Sequence, residues 1–124
     1  MATCLLAVPT TWTSGRRAGL CYTSRFSGSD TFGPLGPSIA VGLDYANCRL
    51  QLRHNGEVKQ SQMVSDLIFP PSQVVSFVSQ YVTLTPGDVI YTGTPGKTSP
   101  MKPGDTVEVE IDGIGILKNT VAEG

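Results

Sequence analysis

A chain of 124 residues is one domain's worth of polypeptide, able to bury roughly two-thirds of the surface its unfolded form exposes. Its 40% hydrophobic content suits a globular core, and a formal net charge of −1 with 15% charged residues leaves no basic footprint for nucleic acid or an anionic membrane. No apolar run approaches the ~18 residues that span a bilayer. Cys4, Cys21 and Cys48 form neither a CxxC motif nor an even disulfide set, so reduced, inert thiols in a cytoplasmic chain are expected.

Residues 1–24 contain no acidic residue, two adjacent arginines and many hydroxyls, a composition that fits either a poorly ordered leader or a mitochondrial transit peptide. A secretory signal is a poorer fit, because the apolar run Leu5-Leu6-Ala7-Val8 stops at Pro9. Residues 25–37 are loop-like, punctuated by Gly28, Gly33, Pro34, Gly36 and Pro37. Asp30 reads here as a turn or capping residue. A strand is expected over 38–41, followed by a turn.

From Cys48 to His54 the chain alternates, with Cys48, Leu50, Leu52 and His54 on one face and Arg49, Gln51 and Arg53 on the other. Asn55-Gly56 then signals a two-residue type I′ hairpin. In a regular ladder His54 opposes Glu57, Arg53 opposes Val58 and Gln51 opposes Gln60, which turns Gln60 away from the leucines. His54, the single histidine, reads as a partly exposed strand end without a catalytic role. After Pro70-Pro71, Ser72 is a candidate cap for an amphipathic helix over 72–82, whose Val74, Val75, Phe77, Val78, Tyr81 and Val82 recur at helical spacing and suit packing on a sheet.

Pro86-Gly87 makes a tight turn, residues 88–91 read as a short buried strand, and Thr92-Gly93-Thr94-Pro95-Gly96 breaks it. Glycine lets backbone N–H groups approach an oxyanion and threonine adds a hydroxyl donor, so this segment suits the carboxylate of a small acid. The same pattern also fits an ordinary strand end. Val107, Val109 and Ile111 alternate with polar residues before Asp112-Gly113, a second type I′ signal. Glu108 and Glu110 share a strand face, where they form either a solvated surface or a pair of oxygen ligands for Mg²⁺ or Mn²⁺. Two hairpins, one helix and several Gly/Pro turns give a mainly β domain of the α+β type.

The string GDVIYTGTP, with MKPGDTVEVEIDGIGILKN after it and DTFGPLGP (30–37), NGEVKQ (55–60) and SDLIF (65–69) before it, resembles the C-terminal part of the fumarylacetoacetate hydrolase family. The resemblance covers residues 25–121. It implies a partial mixed β-sandwich roll and a Mg²⁺- or Mn²⁺-dependent chemistry on small 2-oxo or 2,4-dioxo acids. In that chemistry an enolate forms during C–C hydrolysis, decarboxylation or tautomerisation. By resemblance Thr94 holds the substrate carboxylate, Gly93 opens the loop to it, and Gln60 orients the acid.

The match departs from the family pattern at several positions. Ser27 stands where members carry a site lysine. The family's Glu-x-Glu pair lies upstream of that lysine, whereas the first acidic residue here is Asp30, so no metal ligand is assigned. Lys97, after Pro95, could replace the lysine charge, and Asp66 with Lys97 would be the groups of any metal-free chemistry. The expectation is a shortened, catalytically impaired relative that forms a homodimer or associates with another chain. The alternative is a non-catalytic binding or assembly module that keeps the carboxylate loop.

Overall fold

The structure is a computed structural model and describes residues 33–93 and 99–122. Four strands, β1 (Arg49–His54), β2 (Glu57–Met63), β3 (Thr106–Ile111) and β4 (Gly115–Thr120), form one sheet in the order β2-β1-β3-β4. Every neighbouring pair is antiparallel. One α-helix, α1 (Pro71–Val78), lies between β2 and β3 in sequence. Among the described residues the fold is thus mainly β with a single α-helix, and no described helix is long and apolar enough to cross a membrane.

The core sits on the leucine face of the sheet. Cys48, Leu50, Val64, Val109 and Ile111 are buried together, and Leu43, Leu52, Leu67 and Ile114 pack against them. Alternation explains the division, since side chains two apart on a strand share a face. β3 therefore buries Val107, Val109 and Ile111 and leaves its intervening residues half-exposed. Burial pushes the Cys48 thiol up from its ordinary pKa, with Asp112 and Asp44 adding to the shift. It fits the inert thiol read from the sequence.

Both hairpins form, but neither is fully regular. Asn55 (φ 51°) and Gly56 (φ 82°) both take the positive φ that a type I′ turn demands. The expected Gln51–Gln60 pairing is not formed: Leu52 opposes Gln60 and Gln51 opposes Ser61, with a bulge between the Arg53–Val58 and Leu52–Gln60 pairs. A regular ladder would have set Lys59 opposite Leu52, on the core face, where an ammonium is costly to bury. The bulge leaves Lys59 outside, its Nζ 2.8 Å from Glu57 Oε2, and turns Gln60 into the core face instead. That ion pair holds the Glu57 carboxyl below its ordinary pKa.

The second hairpin also departs from its expected turn. Gly113 has φ 78° while Asp112 keeps a negative φ, the pattern of a type II rather than a type I′ turn. Asp112 is held in the ladder: its N–H donates to Arg49 O at 3.1 Å, and its Oδ2 accepts from Arg49 N at 2.9 Å. A Cβ on Gly113 would lie 2.7 Å from Leu43 Cδ1, whereas one on Gly104, also at positive φ, would meet nothing within 4 Å. Gly104→Ala is therefore expected to cost about 1 kcal/mol of backbone strain, and Gly113→Ala measurably more because it also displaces Leu43 from the core. Urea unfolding midpoints of the two variants check the order.

Other elements were placed less well by pattern. Residues 38–41 form no strand; Ile39 and Val41 are exposed, so their β-branched side chains gain no packing that would favour one. Within 88–91 only Tyr91 makes a bridge. The helix starts at Pro71 rather than at Ser72, with Pro70 as its cap, because proline's fixed φ suits the first helical position. It ends at Val78, and single turns continue to Val82 through Tyr81 N to Val78 O (3.0 Å) and Val82 N to Val78 O (2.9 Å).

The expected seat of the helix on the sheet is not observed among the described residues: no strand packs extensively against α1. Val74, Val75 and Val78 are half-buried. Phe77 and Tyr81 remain exposed, their ring centroids 5.2 Å apart and the rings tilted at 54°. Helical spacing fixed which residues share a stripe but not what covers it.

Candidate functional site

Two turns of identical sequence, Pro-Gly-Asp, frame the segment that carries the candidate loop. In Thr85-Pro86-Gly87-Asp88 the Asp88 N–H donates to Thr85 O at 3.1 Å, and its Oδ2 accepts from Thr85 N at 2.6 Å and from Thr85 Oγ1 at 3.2 Å. In Lys102-Pro103-Gly104-Asp105 the Asp105 N–H donates to Lys102 O at 3.0 Å and Oδ2 accepts from Lys102 N at 2.8 Å. Proline sets the first central φ, glycine takes the positive φ (102° at Gly87, 91° at Gly104), and aspartate closes the ring with its side chain.

Between these turns, Val89, Ile90, Tyr91 and Thr92 are half-buried. Gly93 follows, exposed and at φ 96°, a conformation that a side chain would strain. Thr94 and Lys97 lie outside the described residues, as do Ser27 and Asp30. Of the three residues read as substrate-binding, the structure thus describes Gln60 and Gly93. Gln60 is buried at 7% exposure on the leucine side, opposite Leu52, and is held by interactions of its own. Among the described residues no buried side-chain nitrogen or oxygen lacks a hydrogen-bond partner.

The opposite face of the sheet is polar and closely paired. Gln51 Nε2 donates to Ser61 Oγ at 3.4 Å, Arg53 donates to Gln51 Oε1 at 3.0 Å, and Arg53 also bonds the Glu110 carboxylate. Glu108 pairs with Lys118 across the β3–β4 ladder at 2.9 Å. Both carboxylates of the Glu-x-Glu pair therefore face cations of this chain. Among the described residues no group of three or more His, Cys, Asp or Glu side chains is placed to hold a metal ion. Asp66 is engaged locally, its Oδ2 accepting from Met63 N at 3.3 Å.

Sequence reasoning missed a polar hub at the far end of the sheet. His54 Nε2 donates to Asp105 Oδ2 at 2.8 Å and Asn55 Nδ2 donates to Asp105 Oδ1 at 2.9 Å. Asn55 Oδ1 accepts from Thr106 N at 2.8 Å, and Asn55 N donates to Thr106 O at 2.8 Å. Hydrogen bonds from Asn55, from the Lys102 backbone and from His54, in that order, hold the Asp105 carboxyl down to about 2. His54 is thus a bonded strand end beside the turn. The β1–β3 pairing that assembles this hub has no local sequence signal; the repeated Pro-Gly-Asp was the available hint.

The antiparallel sheet, the hairpins and the sequence Thr-Gly-Thr-Pro that follows a Pro-Gly-Asp turn define a class that comparison with known proteins makes specific. The sequence model for the C-terminal part of fumarylacetoacetate hydrolase matches residues 10–122, and the chain belongs to the fumarylacetoacetate hydrolase family. It is similar to a mitochondrial oxaloacetate tautomerase of Bos taurus, 40% identical over 102 residues that cover 74% of this chain and 32% of that protein.

Solved structures agree. The chain resembles the 5-carboxymethyl-2-hydroxymuconate delta-isomerase of Mycobacterium smegmatis with a TM-score of 0.74 and 39% identity, covering 84% of this chain and 44% of the isomerase. It also resembles a maleylpyruvate hydrolase of Sphingobium sp. SYK-6, solved in complex with manganese(II) and pyruvate, with a TM-score of 0.70 and 32% identity over 73% of this chain and 36% of the hydrolase. The chain spans less than half the length of each of these relatives.

Proposed function

We propose that this chain is the carboxylate-binding part of a fumarylacetoacetate hydrolase-type site for small 2-oxo acids. In this reading Thr94 holds the acid's carboxylate, Gly93 lets backbone N–H groups approach it, and Gln60 orients the acid from the core side of β2. The observation that carries the reading is the likeness to the maleylpyruvate hydrolase solved with manganese(II) and pyruvate. Gly93, at positive φ at the mouth of the loop, gives it local support.

The family chemistry is stabilisation of an enolate by a divalent cation. The described residues do not fit a cage for that cation: Glu108 and Glu110 are paired with Lys118 and Arg53, and Asp66 is bonded to its own backbone neighbourhood. With Ser27 in place of the family lysine, the positive charge at the reacting end is also missing from its usual position. Turnover by the described residues alone is accordingly impaired in this reading, and metal ligands would have to come from beyond them. The commitment of both β3 carboxylates to ion pairs favours a second reading, a binding or assembly module that retains the loop and does no chemistry.

Melting the chain with oxalate, an analogue of the pyruvate enolate, tests the proposal. Ligand at 100 times its dissociation constant stabilises a fold by about 2.7 kcal/mol, which moves the melting temperature of a small domain by several degrees. The expected result is a shift with oxalate in the presence of chelator, abolished by Thr94→Ala. A shift that requires Mn²⁺ as well as oxalate would place a metal site within this chain and overturn the reading of impaired chemistry. No shift under either condition would overturn acid binding itself.

A further inference from the structure

We propose that Asn55 is a deamidation site held closed by the β3 end of the sheet, and that its conversion to aspartate or isoaspartate unfastens β1 from β3. Asn-Gly is the sequence most prone to this reaction, because the glycine nitrogen is unshielded by a side chain. The Gly56 nitrogen, losing its proton to solvent base, attacks Asn55 Cγ. The Cγ–Nδ2 bond breaks, ammonia leaves with the proton it gains, and a five-membered succinimide remains. Water then opens the ring at either carbonyl, giving aspartate or isoaspartate; no oxidant or reductant is involved.

Asn55 and Gly56 are both exposed, so water and base reach them. What opposes the reaction is the clamp on the amide. Nδ2 donates to Asp105 Oδ1 at 2.9 Å and Oδ1 accepts from Thr106 N at 2.8 Å, so both polar atoms of the side chain are bound to groups outside its own hairpin. Ring closure requires Cγ to swing towards Gly56, and both bonds must stretch or break for that to happen. One of them is made to a carboxylate, the stronger kind of hydrogen bond.

The product is incompatible with the same clamp. A carboxylate at position 55 has no hydrogen to offer Asp105 and brings a second negative charge against it, where like charges repel. Isoaspartate adds a methylene to the main chain within a two-residue turn whose register is fixed by its length. Either product removes the donor that does most to hold the Asp105 carboxyl down and loosens the hub that also contains His54. Modification is therefore slow while the hub is closed, and the product keeps the hub from closing again.

Peptide mapping of the full chain by mass spectrometry, with isoaspartate counted enzymatically, reads the rate at Asn55. A free peptide spanning residues 50–60 sets the unclamped rate. The intact protein is expected to react about tenfold more slowly than the peptide, and Asp105→Ala to recover most of that factor, as befits loss of a charge-assisted hydrogen bond. Val109→Ala, which weakens the core without touching the clamp, is expected to keep the wild-type rate under conditions where it stays folded. Equal rates for protein and peptide, or equal acceleration by Val109→Ala and Asp105→Ala, would overturn the clamp. Asn55→Asp, which mimics one product, is expected to lower the melting temperature; unchanged melting would overturn the proposed unfastening.

Discussion

Replacing Leu50 with alanine is expected to lower the melting temperature by on the order of ten degrees. Leu50 is 5% exposed on the central strand β1, faces Ile111 on β3 and belongs to the buried cluster with Cys48, Val64 and Val109. Removing a buried leucine side chain costs about 3 kcal/mol, made up of lost transfer energy and a cavity that neighbours refill incompletely. In a domain of this size each kcal/mol is worth about four degrees. Among the described residues the core has few members and lies on one face of the sheet, so little else there can compensate. Ile116→Ala on β4 is the control, because Ile116 is 48% exposed and its loss is expected to cost under about 0.5 kcal/mol. Similar melting temperatures for the two variants would show that the leucine face is not the core.

Acid is expected to act on the hub before the hydrophobic cluster. The Asp105 carboxyl is held down to about 2 by Asn55, the Lys102 backbone and His54, against an ordinary aspartate value near 3.8. A depressed carboxyl contributes stability that is fully present above its unfolded value and disappears as pH falls through its folded value. The contribution is therefore constant at neutral pH, begins to fall near pH 4 and is gone below about pH 2. Glu57, lowered by Lys59, acts in the same direction. Asp105→Asn is expected to melt below wild type at neutral pH and to show a flatter dependence between pH 4 and 2. Parallel profiles for the two proteins across that window would mean that Asp105 contributes nothing by its charge.

The sequence made the local parts of this fold legible and left the long-range ones open. Asn55-Gly56 and Asp112-Gly113 marked both hairpins, and the alternation through Val107, Val109 and Ile111 named the buried face of β3. The helix was visible as a stripe from Val74 to Val82, but its start was decided by Pro71, and Phe77 and Tyr81 gave no sign that they would remain exposed. Gln60 shows the limit most clearly. Counting back from the turn put it on the polar face, and the bulge at Lys59 reversed that, because the ladder had to keep an ammonium out of the core. Such a choice is made between strands rather than along one, so no local pattern announces it.

The candidate site was legible through family resemblance more than through physics. Gly93 at positive φ matches what a loop that brings N–H groups to an anion requires. The fate of Glu108 and Glu110 could not be read from their spacing alone, since a shared face serves a cation or a pair of neighbouring side chains equally well. Lys118 and Arg53 decide it, and both are brought in by strand pairing. His54 and Asp105 meet for the same reason.

The strand order also sets a sequence of events in time. Each hairpin joins residues a few positions apart, whereas the seam between β1 and β3 brings together Asn55 and Thr106, 51 positions apart. Closing the longer loop costs more chain entropy before any contact rewards it, and contacts of high sequence separation slow folding. On this ground the two hairpins are expected to form first and the seam to join them last. A protein that assembles in this way has its last-formed joint at the hub, and the same joint is where thermal opening would begin.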